Sequence, residues 1–114
     1  MEAAQRGFMR VPLPFRASCR HYGALEETWH QVALLDLSAG GMSFTGEDLF
    51  EPDSSLEIKI QLPTDPGPLL LHGALRRRKA LATNVVEYGV EFVQLTPDQQ
   101  VKIDQLVQFL RKRS

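Results

Sequence analysis

Leu56, Ile58, Ile60 and Leu62 alternate with Glu57, Lys59 and Gln61. A strict period of two puts the four apolar side chains on one face of an extended segment, a pattern an α-helix cannot present as a single face. The run therefore demands a β-strand with one face against a core, and that strand needs neighbours. The rest of the chain supplies them. Val11, Leu13, Phe15, Ala17 and Cys19 alternate with Pro12, Pro14, Arg16, Ser18 and Arg20, which predicts a first strand whose prolines place its start at an edge. His21 to Glu27 contains Gly23 and reads as a turn. A second strand is expected over 28–37, a third over 41–45, and the Leu56–Leu62 run is the fourth. Gly46 to Ser55 is a polar connection, and Pro63-Thr64-Asp65-Pro66-Gly67-Pro68 is a turn cluster. A fifth strand over 69–79 and a sixth over 84–93 meet around Ala82–Thr83.

Several short strands separated by turn signals predict an antiparallel barrel or sandwich. The C-terminus changes period. Thr96 is a candidate N-cap, Pro97 suits the first helical position, and Gln99 can close a capping box. Val101, Ile103, Leu106, Val107 and Leu110 form the stripe expected to lie on the sheet, and Arg111-Lys112-Arg113 suit the helix C-terminus. Residues 1–9 have little to bury. The expected organisation is an arm over 1–10, a β-barrel over 11–95 and a helix over 96–114.

At 114 residues, 43% of them hydrophobic and 24% charged, the chain can build one domain around one core. Its net charge of −1 argues against a bulk pull toward nucleic acid or a membrane. A single cysteine, Cys19, excludes an internal disulfide and fits a reducing cytoplasm. No apolar run reaches the roughly 20 residues that span a bilayer, and Met1 to Arg6 lacks the apolar core of a signal peptide. A cytoplasmic protein with no membrane span is expected.

Between the second and third strands lies Asp36-Leu37-Ser38-Ala39-Gly40-Gly41. Asp36 and Ser38 are two residues apart and share a face in an extended chain, offering a carboxylate beside a hydroxyl. Gly40 and Gly41 can take φ > 0 and let a ligand approach the backbone. Alone, this is also an ordinary turn. Arg6 and Arg10 offer two guanidinium forks suited to phosphate or a guanine edge.

An R-x-x-x-R pair, a strand-patterned stretch and D-x-S-x-x-G at a hairpin corner together resemble the PilZ domain. So do Arg10-Val11-Pro12-Leu13-Pro14 before the first strand and Tyr88-Gly89-Val90-Glu91-Phe92 in the last. The resemblance implies a six-stranded antiparallel β-barrel with a C-terminal α-helix, and a receptor for the bacterial second messenger cyclic di-GMP. It assigns Arg6, Arg10, Asp36, Ser38, Gly40 and Gly41 to the ligand. Arg77, in the basic run Arg76-Arg77-Arg78-Lys79, is the further candidate, stacking on a guanine. In a regular strand Arg76 and Arg78 would face one side, Arg77 and Lys79 the other.

The resemblance implies no reaction, no cofactor and no metal. As a stand-alone domain the receptor would pass its signal to an unidentified effector protein, through ordering of the 1–10 arm. Two other readings stay open: a PilZ-type adaptor that works through protein contacts only, and a small-barrel nucleic-acid binder using 76–79. Cys19 with His21 would give only two metal ligands, and His30 and His72 read as surface or core-edge residues. Ser38 is no nucleophile elbow, because Asp36 stands where G-x-S-x-G has its first glycine.

Overall fold

Six antiparallel strands close on themselves in a computed structural model that describes residues 13, 15–61 and 68–113, with side chains to residue 110. They are β1 (Arg16–His21), β2 (His30–Leu37), β3 (Gly41–Gly46), β4 (Ser55–Gln61), β5 (Pro68–Ala82) and β6 (Val85–Phe92). The barrel order is β1-β2-β3-β6-β5-β4, with β4 returning to β1. Closure leaves no unpaired strand edge, so every strand can bury its inner row. That row includes Ala17 and Cys19 of β1, Leu34 and Leu37 of β2, Met42 and Phe44 of β3, and Leu56, Ile58 and Ile60 of β4. Leu69, Leu71 and Leu75 of β5 join Val86, Tyr88, Val90 and Phe92 of β6.

The first strand starts later than its alternation predicts. Among the described residues, Leu13 gives one bond to β2, its N–H donating to the Leu34 carbonyl at 2.7 Å, and the ladder begins only at Arg16. β5 runs three residues past the expected end, to Ala82, because its partner β6 supplies a ladder along its whole length. The connection from β5 to β6 is Thr83-Asn84. Asn84 takes φ 55°, a region asparagine tolerates, and its side chain accepts from the Asp48 N–H at 2.9 Å. Leu62 and most of the turn cluster, 63–67, lie outside the described residues.

Tyr88 ties the inner row to the β3–β4 connection. Its hydroxyl donates to the Glu47 carbonyl at 2.5 Å and accepts from the N–H of Leu49 at 3.1 Å and of Phe50 at 3.4 Å. Phe50 thereby seats its ring 5.6 Å from that of Tyr88, with 1% exposed.

Helix α1 (Pro97–Arg113) starts with the predicted capping box. The Thr96 N–H donates to Gln99 Oε1 at 2.8 Å, and the Gln99 N–H donates to Thr96 Oγ1 at 3.1 Å. Ile103 and Leu106 enter the core, while Val107, Phe109 and Leu110 pack against it. Phe109 meets Phe15 with ring centroids 6.0 Å apart. Val101 does not belong to the stripe: it is 54% exposed. It precedes Ile103 by two residues, about 200° around the helix, so the two cannot share a face.

Candidate ligand-binding site

The β2–β3 corner is closed by its own backbone. The Ser38 N–H donates to the Gly41 carbonyl at 2.9 Å, and Ser38 Oγ lies 3.4 Å from the same oxygen. The Gly40 carbonyl accepts from the Phe92 N–H at 2.9 Å. Neither glycine uses the φ > 0 that its type allows; among the described residues Gly23 is the glycine that does, at φ 81°. The two corner glycines serve different ends. A Cβ on Gly41 would overlap the Val90 carbonyl oxygen, so that position must be glycine for β3 to reach β6. A Cβ on Gly40 would meet nothing within 4 Å, so its bareness leaves open space above the corner.

Two β-bulges decide what faces that space. In β2 the pairing runs Leu34↔Phe44 and then Asp36↔Ser43, with Leu35 as the extra residue. In β5 it runs Leu75↔Val90 and then Arg77↔Gly89, with Arg76 as the extra residue. An inserted residue reverses the facing of everything beyond it. Strict alternation would have put Asp36 on the inner side with Leu34, and Arg77 on the inner side with Leu75. The bulges turn both outward. The same shift corrects the basic run: Arg76 and Arg77 both line the outer cavity. Arg78 instead caps the barrel rim, donating to Asp48 Oδ1 at 2.7 Å and to the Phe50 carbonyl at 3.3 Å.

The outcome is a row of directly paired residues across four strands: Asp36 in β2, Ser43 in β3, Gly89 in β6 and Arg77 in β5. Gly89 is the gap in the row, and the Arg77 guanidinium lies over it. A Cβ at Gly89 would stand 2.7 Å from Arg77 Nη2 and 3.0 Å from its Cζ. Above the row is an open cavity of about 390 Å³, lined also by Ser38, Gly40, Gly41, Arg76, Glu87 and Glu91. Arg76 is engaged by Glu91 at 2.8 Å. Arg77 has no hydrogen-bond or ion-pair partner among the described residues, although it is exposed at the centre of the cavity wall. A second hollow of about 410 Å³ continues past Arg77 along Arg78, Lys79 and Pro52.

Of the expected site residues, the structure brings Asp36, Ser38, Gly40, Gly41 and Arg77 to one cavity. Arg6 and Arg10 lie outside the described residues. Ser43 and Gly89 were missed. The available signal for Gly89 was a glycine inside a strand, which marks a close approach; Ser43 gave none.

The histidines and the cysteine are elsewhere. Cys19 is fully buried in the barrel, and burial pushes its thiol pKa up. Glu27 is held between His21 Nδ1 at 3.0 Å and His30 Nε2 at 2.9 Å. Burial acts to raise the Glu27 pKa, but hydrogen bonds from the His30 ring, the His21 amide and the His21 ring outweigh it and hold the carboxyl below its ordinary 4.5. His72 stacks on Tyr22 with centroids 3.8 Å apart.

The family model described as PilZ domain matches residues 4–110. This chain belongs to the PilZ family. No curated protein matches it. Solved PilZ structures share its fold. The Bacillus subtilis inhibitor of motility MotI/DgrA is 19% identical with a TM-score of 0.64; the match covers 91% of this PilZ chain and 51% of that chain, so this chain spans about half of it. The PilZ domain of CeSA from a cellulose-synthesizing bacterium is 16% identical at 0.64, covering 89% and 96%. The PilZ domain of Escherichia coli YcgR, described with c-di-GMP, is 15% identical at 0.67, covering 91% and 88%. The six-stranded barrel with one C-terminal helix is the PilZ fold.

Proposed function

We propose that this PilZ domain is a receptor for cyclic di-GMP. The observation that carries the reading is the outward row Asp36–Ser43–Gly89–Arg77, with an exposed guanidinium that has no partner among the described residues at one end and an exposed carboxylate at the other. Cyclic di-GMP carries phosphodiester charges and guanine edges. A guanidinium fork complements phosphate or the O6/N7 edge of guanine, and its plane can stack on the base. Asp36 complements the N1–H and N2–H₂ donors of the other edge, with the Ser38 hydroxyl beside it. Gly40 leaves room for the base against the corner.

Arg6 and Arg10 complete the proposed clasp. Leu13 is bonded to Leu34, two residues before Asp36. Arg10 is three residues from that anchor, within about 10 Å of extended chain. The proposed role is binding without a reaction, with the carboxylates, hydroxyls and guanidinium groups of the cavity lining serving as recognition groups. The proposed output is ordering of residues 1–10 over the ligand, which would present a new surface to an effector protein.

Calorimetry tests the reading. Cyclic di-GMP should bind, cyclic di-AMP should bind far more weakly because adenine presents an amino donor where guanine has O6, and single-stranded RNA should not compete. Arg10→Ala should remove a charge-assisted contact worth roughly 2–5 kcal/mol, about 30-fold or more in affinity. Wild-type affinity in Arg10→Ala, or equal affinity for the two dinucleotides, contradicts the assignment. Hydrogen exchange at the amides near Arg6, unchanged by ligand, would overturn the arm as the output even with binding established.

A further inference from the structure

The barrel wall opposite the cavity carries a separate hollow with two cations at its edge. β1 stands three strands from β6 in either direction around the closed sheet, so this wall and the ligand row face opposite ways. Its centre is Ser18, which pairs with Gln31 on one side and Lys59 on the other. Ser18 belongs to the outward row of β1 but is only 3% exposed. Around it Arg16, Gln31, Lys59, Gln61 and Pro68 frame a hollow of about 200 Å³. Among the described residues, two cations and three neutral hydrogen-bonding side chains line the hollow, and no carboxylate does. Arg16 is exposed and has no ionic partner among the described residues.

Trp29 braces the same wall. The Arg20 guanidinium lies 4.3 Å from its ring centroid and the Lys59 ammonium 4.4 Å. Arg20 is itself fixed by Glu57 at 3.0 Å and by the Glu27 carbonyl at 3.2 Å. These contacts hold Lys59 beside the hollow before any partner arrives, which lowers the ordering cost of binding. We infer that this wall docks an acidic peptide segment of a protein partner, one carboxylate entering the hollow between Arg16 and Lys59 to meet the Ser18 hydroxyl. Charge complementarity selects the occupant. A nucleic acid fits less well, because cations already cover the Trp29 ring that a base would need for stacking, and the two cations Arg16 and Lys59 do not make a backbone track. Pairing with an added strand is excluded by closure of the barrel, so side chains must do the recognising. This inference does not depend on cyclic di-GMP binding.

Trp29 is the chain's one tryptophan, so its fluorescence reports on this wall alone. The full chain is titrated with a dye-labelled octapeptide of alternating Glu and Ser, with the same peptide carrying Gln for Glu, and with an eight-nucleotide single-stranded DNA. The expected result is a change in Trp29 emission and affinity for the Glu peptide about tenfold or more above that for the Gln peptide. Arg16→Glu and Lys59→Ala should each weaken it about tenfold. Arg16 is exposed, so Arg16→Glu should keep the wild-type circular-dichroism melting midpoint and decides the matter if Lys59→Ala fails to fold. Equal response to the Glu and Gln peptides, undiminished binding by folded Arg16→Glu, or binding of the oligonucleotide alone would overturn the inference.

Discussion

Gly89→Ala should separate stability from ligand binding. Glycine inside a strand costs roughly 0.5–1 kcal/mol relative to alanine, so the substitution favours folding on backbone grounds. The added Cβ meets the flexible end of Arg77 at 2.7–3.1 Å, across Nη2, Cζ and Nε, and no backbone atom is among its three nearest neighbours. The guanidinium can move aside, so the barrel should be as stable as wild type or up to about 1 kcal/mol more stable. The cost falls on the position of Arg77. A hydrogen bond to a charged group contributes about 1.5–3 kcal/mol, so Arg77→Ala should weaken cyclic di-GMP by about 10- to 150-fold. Gly89→Ala displaces the same group without deleting it and should lose part of that, about 3- to 30-fold. In the Arg77→Ala background the alanine at 89 should add almost nothing, because its target is gone; the coupling should approach its full single-variant effect. Calorimetry on the four proteins, with urea unfolding alongside, measures both quantities. Additive losses would refute the idea that Gly89 acts by seating Arg77, and undiminished affinity in both single variants would remove Arg77 from the site.

Gly41→Ala should behave in the opposite way: its Cβ strikes the Val90 carbonyl, which is backbone and cannot move cheaply, so urea unfolding should show a loss of about 1–3 kcal/mol. Tyr88→Phe removes the hydroxyl that serves Glu47, Leu49 and Phe50; about 1–3 kcal/mol should be lost in the same assay, with the ligand row intact. Because Glu27 is held below its ordinary pKa of 4.5, its stabilisation is complete above that value and is lost as pH falls through the lower, folded-state pKa. The stability of wild type should therefore drop more steeply below about pH 4.5 than that of Glu27→Gln, and parallel urea midpoints across that range would show that the His21–Glu27–His30 contacts contribute nothing.

The strands and the helix were legible because each is written in a local period. Leu56, Ile58 and Ile60 can bury together only in an extended chain, and Thr96 and Gln99 close a capping box whatever surrounds them. The corner residues Asp36, Ser38, Gly40 and Gly41 stood out in the linear pattern, and the resemblance to the PilZ domain made them and Arg77 ligand candidates. What the pattern misassigned was facing. Alternation counts residues and has no term for an extra one, yet Leu35 and Arg76 are both extra relative to their partner strands. Whether a bulge forms depends on the register that the neighbouring strands impose as the sheet twists shut, a non-local condition. The same holds for Gly41 and Gly89, whose need to be glycine comes from Val90 and Arg77 on adjacent strands. Asp36 and Arg77 were thus candidates from the chain itself, while their row partner Ser43 gave no signal. Their meeting on one outward row was decided by closure of the barrel, because only pairing with distant strands determines which way each side chain points.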